Sequence, residues 1–422
     1  MKWDVDIYDR PGWNAYTYGY PGGGGIRLQA NGDIIVKFES ADASGYNDDF
    51  LFDHFRRVTM QSSNGGRSWT EIESPWAYHI PLELSDGTLV EIVDDRQLTP
   101  RNEQKARLEA LGIGHVWHDD CMLSWDLWPA SMTEQLRAEG RIVWDLHVGP
   151  TPDQRYLPDD VVATHDPTNL FSRVSNDGGA TWSLRKVVDV TGYGHFGCMF
   201  GGGAIVLPDD TILVPCYGGI KHAELIDGNL LGPLQILVLR SENSGKSFEL
   251  IEVPANVHSY NESCLVYHPS GRVICLLRAE ETGCCFSDDG GRTWSAPLDT
   301  GIRGGYPLSA LALESGTIMC GYAHRRFPGG IRATLSHDAG ETWDIDNEKI
   351  LNDSCLPSSY IGGPGSVQLA DGTIFSFYNL VKPEVVRQED IVDLDRKLTL
   401  TPRWHSYIAG SCYTEDYIRA PG

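Results

Sequence analysis

No run of 18 apolar residues occurs anywhere in this 422-residue sequence, which excludes a membrane-spanning helix. Positive charge is scarce too: 34 Lys and Arg stand against 58 Asp and Glu, a formal net charge of -24. With no basic cluster, the composition argues against nucleic acid and against an anionic membrane as partners. The ten cysteines include no CxxC pair and no dense framework. Cys216, Cys275 and Cys320 fall inside apolar strand-like runs, which suits buried free thiols in a reducing compartment. The opening residues MKWDVDIYDRPGWNAY carry no apolar signal-peptide core. Together these features predict a cytoplasmic protein. A cofactor motif is also missing: GYGHFG (192–197) fits GxGxxG, but glycines and a strand follow it where a dinucleotide site needs a helix, so no cofactor is expected.

What the sequence does contain is repetition. The word SNDGGATW (175–182) recurs as SSNGGRSW (62–69), SENSGKSF (241–248), SDDGGRTW (287–294) and SHDAGETW (336–343). All five share the Ser, a central Asp or Asn, the second Gly, a Ser or Thr and a final aromatic. The acid or amide can cap backbone N–H groups, glycine supplies positive φ, and the aromatic gives the turn an apolar foot. A second pattern, two apolar runs around a small polar turn, appears six times, at 26–39, 80–93, 204–217, 263–277, 309–322 and 366–378. Asn-Gly, Asp-Gly and Ser-Gly at these turns tolerate positive φ and predict tight hairpins.

Six hairpins, each extended by a third strand, a turn and a fourth strand, predict an all-β chain: one six-bladed β-propeller domain of four-stranded antiparallel blades over 1–422. The last blade lacks its turn word, and KWDVDIY near the N-terminus is expected to supply its outer strand, closing the ring. The second blade is too long. Residues 99–147 read as an insertion with two short helices, TPRNEQKARLEALG (99–112, Thr99 as N-cap and Pro100 at N1) and SMTEQLRAEG (131–140). It either caps the propeller mouth or makes a homo-oligomer contact.

The five turns resemble the Asp-box (BNR) repeats of the sialidase superfamily, whose exo-sialidases have six blades. Such turns lie on the rim and build blades, so chemistry is sought at the mouth. In that family a Glu before one inner strand activates a tyrosine nucleophile, and an Arg about sixteen residues later binds the substrate carboxylate. NESCLVYHPSGRVICLLR places Glu262 and Arg278 at these positions; the plain reading of the same two residues is a rim ion pair. A further carboxylate-binding arginine maps to Arg332 in HRRFPGGIRATLSHDAG, with Arg325 and Arg326 nearby. The resemblance implies that Arg278 and Arg332 face one cavity. Tyr360, in SSYIGGPGSV, lies three residues upstream of the family's tyrosine position and is either the nucleophile or an aromatic packed under its loop. Asp49, chosen over Asp48 and Asp53, is the acid/base candidate before the first box. The family's first arginine has no match, since glycines occupy its place and Arg27 falls within the strand. His118 in HVWHDD is a candidate substrate contact; that cluster as a metal site is a weak signal, and no metal is expected.

Three functions compete on this pattern. The first is a sialidase-type exo-glycosidase acting on a terminal acidic sugar of a glycan. The second is a propeller glycosidase or polysaccharide lyase acting on uronate- or rhamnose-containing glycans through His and Tyr. The third is a glycan-binding propeller without catalysis.

Overall fold

The structure, a computed structural model, describes residues 2–17, 25–42, 55–74, 76, 80–93, 97–100, 113–117, 123–129, 161–164, 169–189, 196–198, 203–219, 234–255, 260–326, 328–355, 361–382 and 405–420. Its strands form a six-bladed propeller of antiparallel sheets. Blade four shows the plan: Asn261–Tyr267, Val273–Arg278, Glu281–Ser287 and Leu298–Arg303 pair in chain order from the inside outward. Blade five repeats it with Gly305–Ala312, Ile318–His324, Gly330–Ser336 and Lys349–Asn352. In blade six, Gly362–Gln368, Ile374–Val381 and Ser406–Tyr413 are completed by the N-terminal strand Trp3–Tyr8, in register Trp3 to Cys412. The expected ring closure is therefore the observed one.

The six hairpins are built alike. In each, the N–H of the turn's last residue bonds back to a carbonyl three residues earlier, as in Gly271 to His268 and Gly316 to Leu313. That last residue sits at positive φ, with glycine in five blades and Asp210 at φ 64 in the third. Asp210 holds this conformation while its carboxylate accepts from the backbone N–H and the hydroxyl of Ser85 in blade two.

The boxes join third to fourth strands and close on themselves. In blade two, Ser175 Oγ accepts from Gly179 N at 2.9 Å, Asp177 accepts from Thr181 N and Oγ1, and Trp182 Nε1 donates to Gly179 O. These hydrogen bonds hold the Asp177 carboxyl down at about 2. The first small position tolerates Ser244 and Ala339 at positive φ. The second is glycine in all five for an additional reason. A Cβ at Gly66 would meet Phe375 at 2.5 Å, at Gly245 Val90 at 2.6 Å, and at Gly291 Leu213 at 2.8 Å. Each of these boxes thus presses its backbone onto the preceding blade, where no side chain fits.

Strand alternation puts hairpin turns and boxes at one end of the propeller, and Thr88 Oγ1 of a hairpin reaches Asn176 Oδ1 of a box at 3.1 Å. The opposite end carries the starts of the first strands, the ends of the second and the connections from second to third. That end is the mouth. In blade two this connection runs from Leu89–Val93 to Asn169–Ser175, so the insertion springs from the mouth end. The helix expected at 99–112 does not begin at Thr99: Gln97–Pro100 is a strand paired with Val161–Thr164, with Pro100 opposite Val161 at the ladder's end, where a missing N–H is tolerated. A further strand pair is Ile113–Trp117 with Leu123–Pro129. Residues 101–112 and 131–140 lie outside the described residues.

Apolar clusters fill five of the seams between blades, such as Ile274, Leu276, Ile318 and Tyr322 between blades four and five. The seam between blades one and two differs. Among the described residues it buries three apolar side chains, Ile35, Trp76 and Ile80. Beside them lie Lys37 and Glu91, 2% and 1% exposed. Lys37 Nζ donates to Ser74 Oγ and the Trp76 carbonyl, while Glu91 pairs with Arg173 at 3.2 Å and Glu39 with Arg57 at 3.6 Å. Burial, foremost, and then Arg57 push the Lys37 ammonium down to about 8. Eight of the cysteines are free thiols, seven of them buried.

Candidate functional site

Blade four brings Glu262 and Arg278 together at the mouth. Asn261 pairs with Arg278 across the first two strands, and the next matched pair is Cys264 with Leu276, so Glu262 and Ser263 face a single residue opposite. This bulge breaks the alternation and re-aims Glu262. Glu262 is 5% exposed. Its Oε2 lies 2.9 Å from Arg278 Nε, but the N–H points off the line between them, so the contact is an ion pair without hydrogen-bond alignment. Arg278 Nη1 donates to Asn261 Oδ1 at 2.7 Å, fixing the guanidinium plane from its other edge.

The next arginine in the field of Glu262 is Arg325, directly after the second strand of blade five. It is 8% exposed, and its Nε donates to the Ile361 carbonyl at 3.0 Å, at the start of blade six. Burial raises the Glu262 carboxyl to about 7 against the opposing pull of Arg278 and Arg325. A carboxyl poised there can take up and return a proton near neutrality, and two guanidinium groups beside it favour an anion.

Of the two arginines expected near Arg278, it is Arg325, and not Arg332, that lies in the field of Glu262. Arg332 sits in the third strand of blade five, opposite Tyr322, with Nη1 on Glu348 at 2.6 Å and Nη2 on the Pro328 carbonyl at 3.0 Å. Sequence spacing alone could not separate these two arginines, because both follow the same strand within eight residues. Arg27 is turned to the neighbouring blade, donating to the Pro81 carbonyl and pairing with Glu83 at 3.3 Å. Asp49, His118 and Tyr360 lie outside the described residues. The sequence reading missed Asn261 and the Thr17–Asn379 contact. In the latter, Thr17 donates N–H and hydroxyl to Asn379 Oδ1 where blade six meets blade one. Asn379 pairs with Gly362 as Arg278 pairs with Asn261, each just before a bulge in the inner strand. This equivalence of blades was the signal that could have found it.

A family model described as a BNR repeat-like domain matches residues 138–374. The chain belongs to that family. Among solved structures, this BNR repeat-like protein is similar to a protein of unknown function from Dyadobacter fermentans, with TM-score 0.62 and 18% identity over 97% of both chains. It is also similar to the NanB sialidase of Streptococcus pneumoniae, with TM-score 0.55 and 12% identity over 98% of this chain and 70% of that one. The intramolecular trans-sialidase of Ruminococcus gnavus follows, with TM-score 0.54 and 13% identity over 96% and 98%. No curated protein matches the sequence. At these identities the likeness is one of fold, a sialidase-like BNR propeller.

Proposed function

We propose that this protein is an exo-glycosidase of sialidase type that acts on a terminal acidic sugar of a glycan. The observation that carries the reading is the buried Glu262 at the propeller mouth, raised to about 7, with Arg278 at 2.9 Å and Arg325 beside it. In this reading Arg278 and Arg325 grip the sugar carboxylate. Glu262 takes the proton of the Tyr360 hydroxyl as that oxygen attacks the anomeric carbon, and Asp49 protonates the departing glycosidic oxygen. Water, activated by Asp49, then releases the sugar from Tyr360. The free thiols support a reducing compartment such as the cytoplasm.

One observation favours a second substrate class. Arg27 is committed to Pro81 and Glu83, so among the described residues Arg278 and Arg325 stand beside Glu262, short of the three arginines that the family resemblance implies for a sialic acid, which brings in a uronate as the second reading. The deciding experiment is a panel of sialosides, other 2-keto acid glycosides, uronate oligosaccharides and rhamnosides, following hydrolysis and the absorbance of an unsaturated product. Hydrolysis of an acidic glycoside, lost in both Glu262→Gln and Tyr360→Phe, supports the first reading. An unsaturated uronate supports a lyase. Binding without turnover across the panel makes the protein a glycan-binding propeller.

A further inference from the structure

Arg325 begins the connection 325–329 between the second and third strands of blade five, so its aim depends on how that connection is held. One carbonyl is the node. Pro328 O lies 3.0 Å from His324 Nδ1 and 3.0 Å from Arg332 Nη2. His324 Nδ1 also lies 3.2 Å from the Arg326 carbonyl. Both partners of Nδ1 are acceptors, so this nitrogen carries the proton whether the ring is neutral or charged. Arg332 is held from behind by Glu348 at 2.6 Å, and both side chains are largely buried. On the outer side Arg326 pairs with Glu280 of blade four at 3.0 Å. The connection is thus tied down within its own blade at Pro328 and across to blade four at Arg326. Arg325 leaves it at the first residue, toward Ile361 of blade six.

We propose that His324 and Arg332 are positioning residues: by clamping the Pro328 carbonyl they hold the Arg325 guanidinium where it meets the substrate carboxylate, without touching substrate. The inference rests on the reading of Arg278 and Arg325 as the carboxylate grip. It also gives Arg332 a task at the blade's edge in place of direct contact with the sugar. Glu348 keeps Arg332 extended along the third strand, and loss of either donor frees the carbonyl and lets the connection swing. A displacement of an ångström at such a group is sufficient to cost up to about a hundredfold in function.

The test is titration calorimetry of the full chain with N-acetylneuraminic acid and with glucuronic acid, glucose serving as the uncharged control, with melting temperature recorded for each variant. His324→Phe removes one donor. The double variant Arg332→Met with Glu348→Met removes the other without leaving a buried carboxylate alone. Both are expected to weaken binding of the acid that wild type binds by about tenfold or more. His324→Asn, whose amide nitrogen can stand where Nδ1 stood, is expected to restore it. Arg325→Ala separates the two levels of the argument. If Arg325→Ala loses acid binding while the clamp variants bind like wild type, the positioning role is refuted and the grip stands. If the clamp variants lower only the melting temperature, their role is structural and the proposal falls. If wild type binds neither acid, or Arg325→Ala binds as wild type does, the grip itself is wrong and the clamp has nothing to position.

Discussion

Two adjacent glycines of the fourth box separate backbone strain from packing between blades. Gly290 and Gly291 both have positive φ, 71° and 85°, so alanine at either place incurs the left-handed cost of about 1–2 kcal/mol. Their surroundings differ. A Cβ at Gly290 would find its nearest neighbours, Arg292 and Leu207, at an ordinary 3.7 Å. At Gly291 it would stand 2.8 and 3.0 Å from the two methyl carbons of Leu213, which is itself fully buried in the preceding blade. Overpacking of that kind adds about 1–3 kcal/mol. With an unfolding entropy of roughly 2.1 cal/mol/K per residue, a chain of this length melting as one unit loses about 1 °C per kcal/mol. Gly290→Ala is expected to lower the melting temperature by about 1–2 °C and Gly291→Ala by about 2–5 °C. Intrinsic tryptophan fluorescence during a slow thermal ramp, repeated in urea, measures both. Equal losses would refute the argument that the second glycine is fixed by contact between blades.

Three further outcomes are expected. Because Glu262 must be ionised to act as a base and is raised to about 7, kcat/KM should climb with pH through that value. Glu262→Gln should remove the limb and lower turnover by about 10²–10⁴; a limb that survives the substitution assigns it to another group. Arg278→Lys should weaken acidic ligands while leaving neutral ones unchanged, because lysine cannot present a guanidinium fork, and competition binding with an acid and its reduced alcohol reads the difference. Lys37 is lowered from 10.5 to about 8, so between those values the folded chain holds fewer protons than the unfolded one. Stability should rise with pH across that window, and urea titrations of Lys37→Met should show the rise removed.

Repetition made the fold legible. Hairpin glycines and box residues obey local rules, and the ring follows once six copies are counted; even the closing strand could be placed from the missing sixth box. Local rules failed where tertiary pairing overrode them. Thr99 and Pro100 carry a helix-start signature, yet they extend a strand pair that begins in blade two, and the partner Val161–Thr164 is 60 residues away. The contact of Glu262 with Arg278 was readable because one hairpin carries both, Arg278 opposite Asn261 and Glu262 in the bulge that follows. Arg325 and Arg332 were exchanged for a geometric reason. Which arginine reaches the mouth depends on whether it directly follows a second strand or lies within a third, and the linear sequence hides that difference until strand boundaries are known.

A ring of six staves has six joints, and it opens at whichever yields first. Among the described residues five joints are oily, and the sixth adds charge to its three apolar side chains, Lys37 of blade one lying in the field of Glu91 of blade two. Cooling weakens the oily kind by reducing the hydrophobic driving force, whereas dissolved salt acts on charge, most strongly at the half-exposed Arg57 end of the pair with Glu39, which lies within blade one next to that joint. Hydrogen exchange in the strands Ile34–Asp42 and Leu89–Val93 should therefore quicken with added salt, while Val273–Arg278 and Ile318–His324 hold their rates. The strand Leu89–Val93, from which the chain leaves blade two at the mouth, lies beside that charged joint. The medium around the molecule thus decides how firmly that strand is held, although none of its residues needs to change.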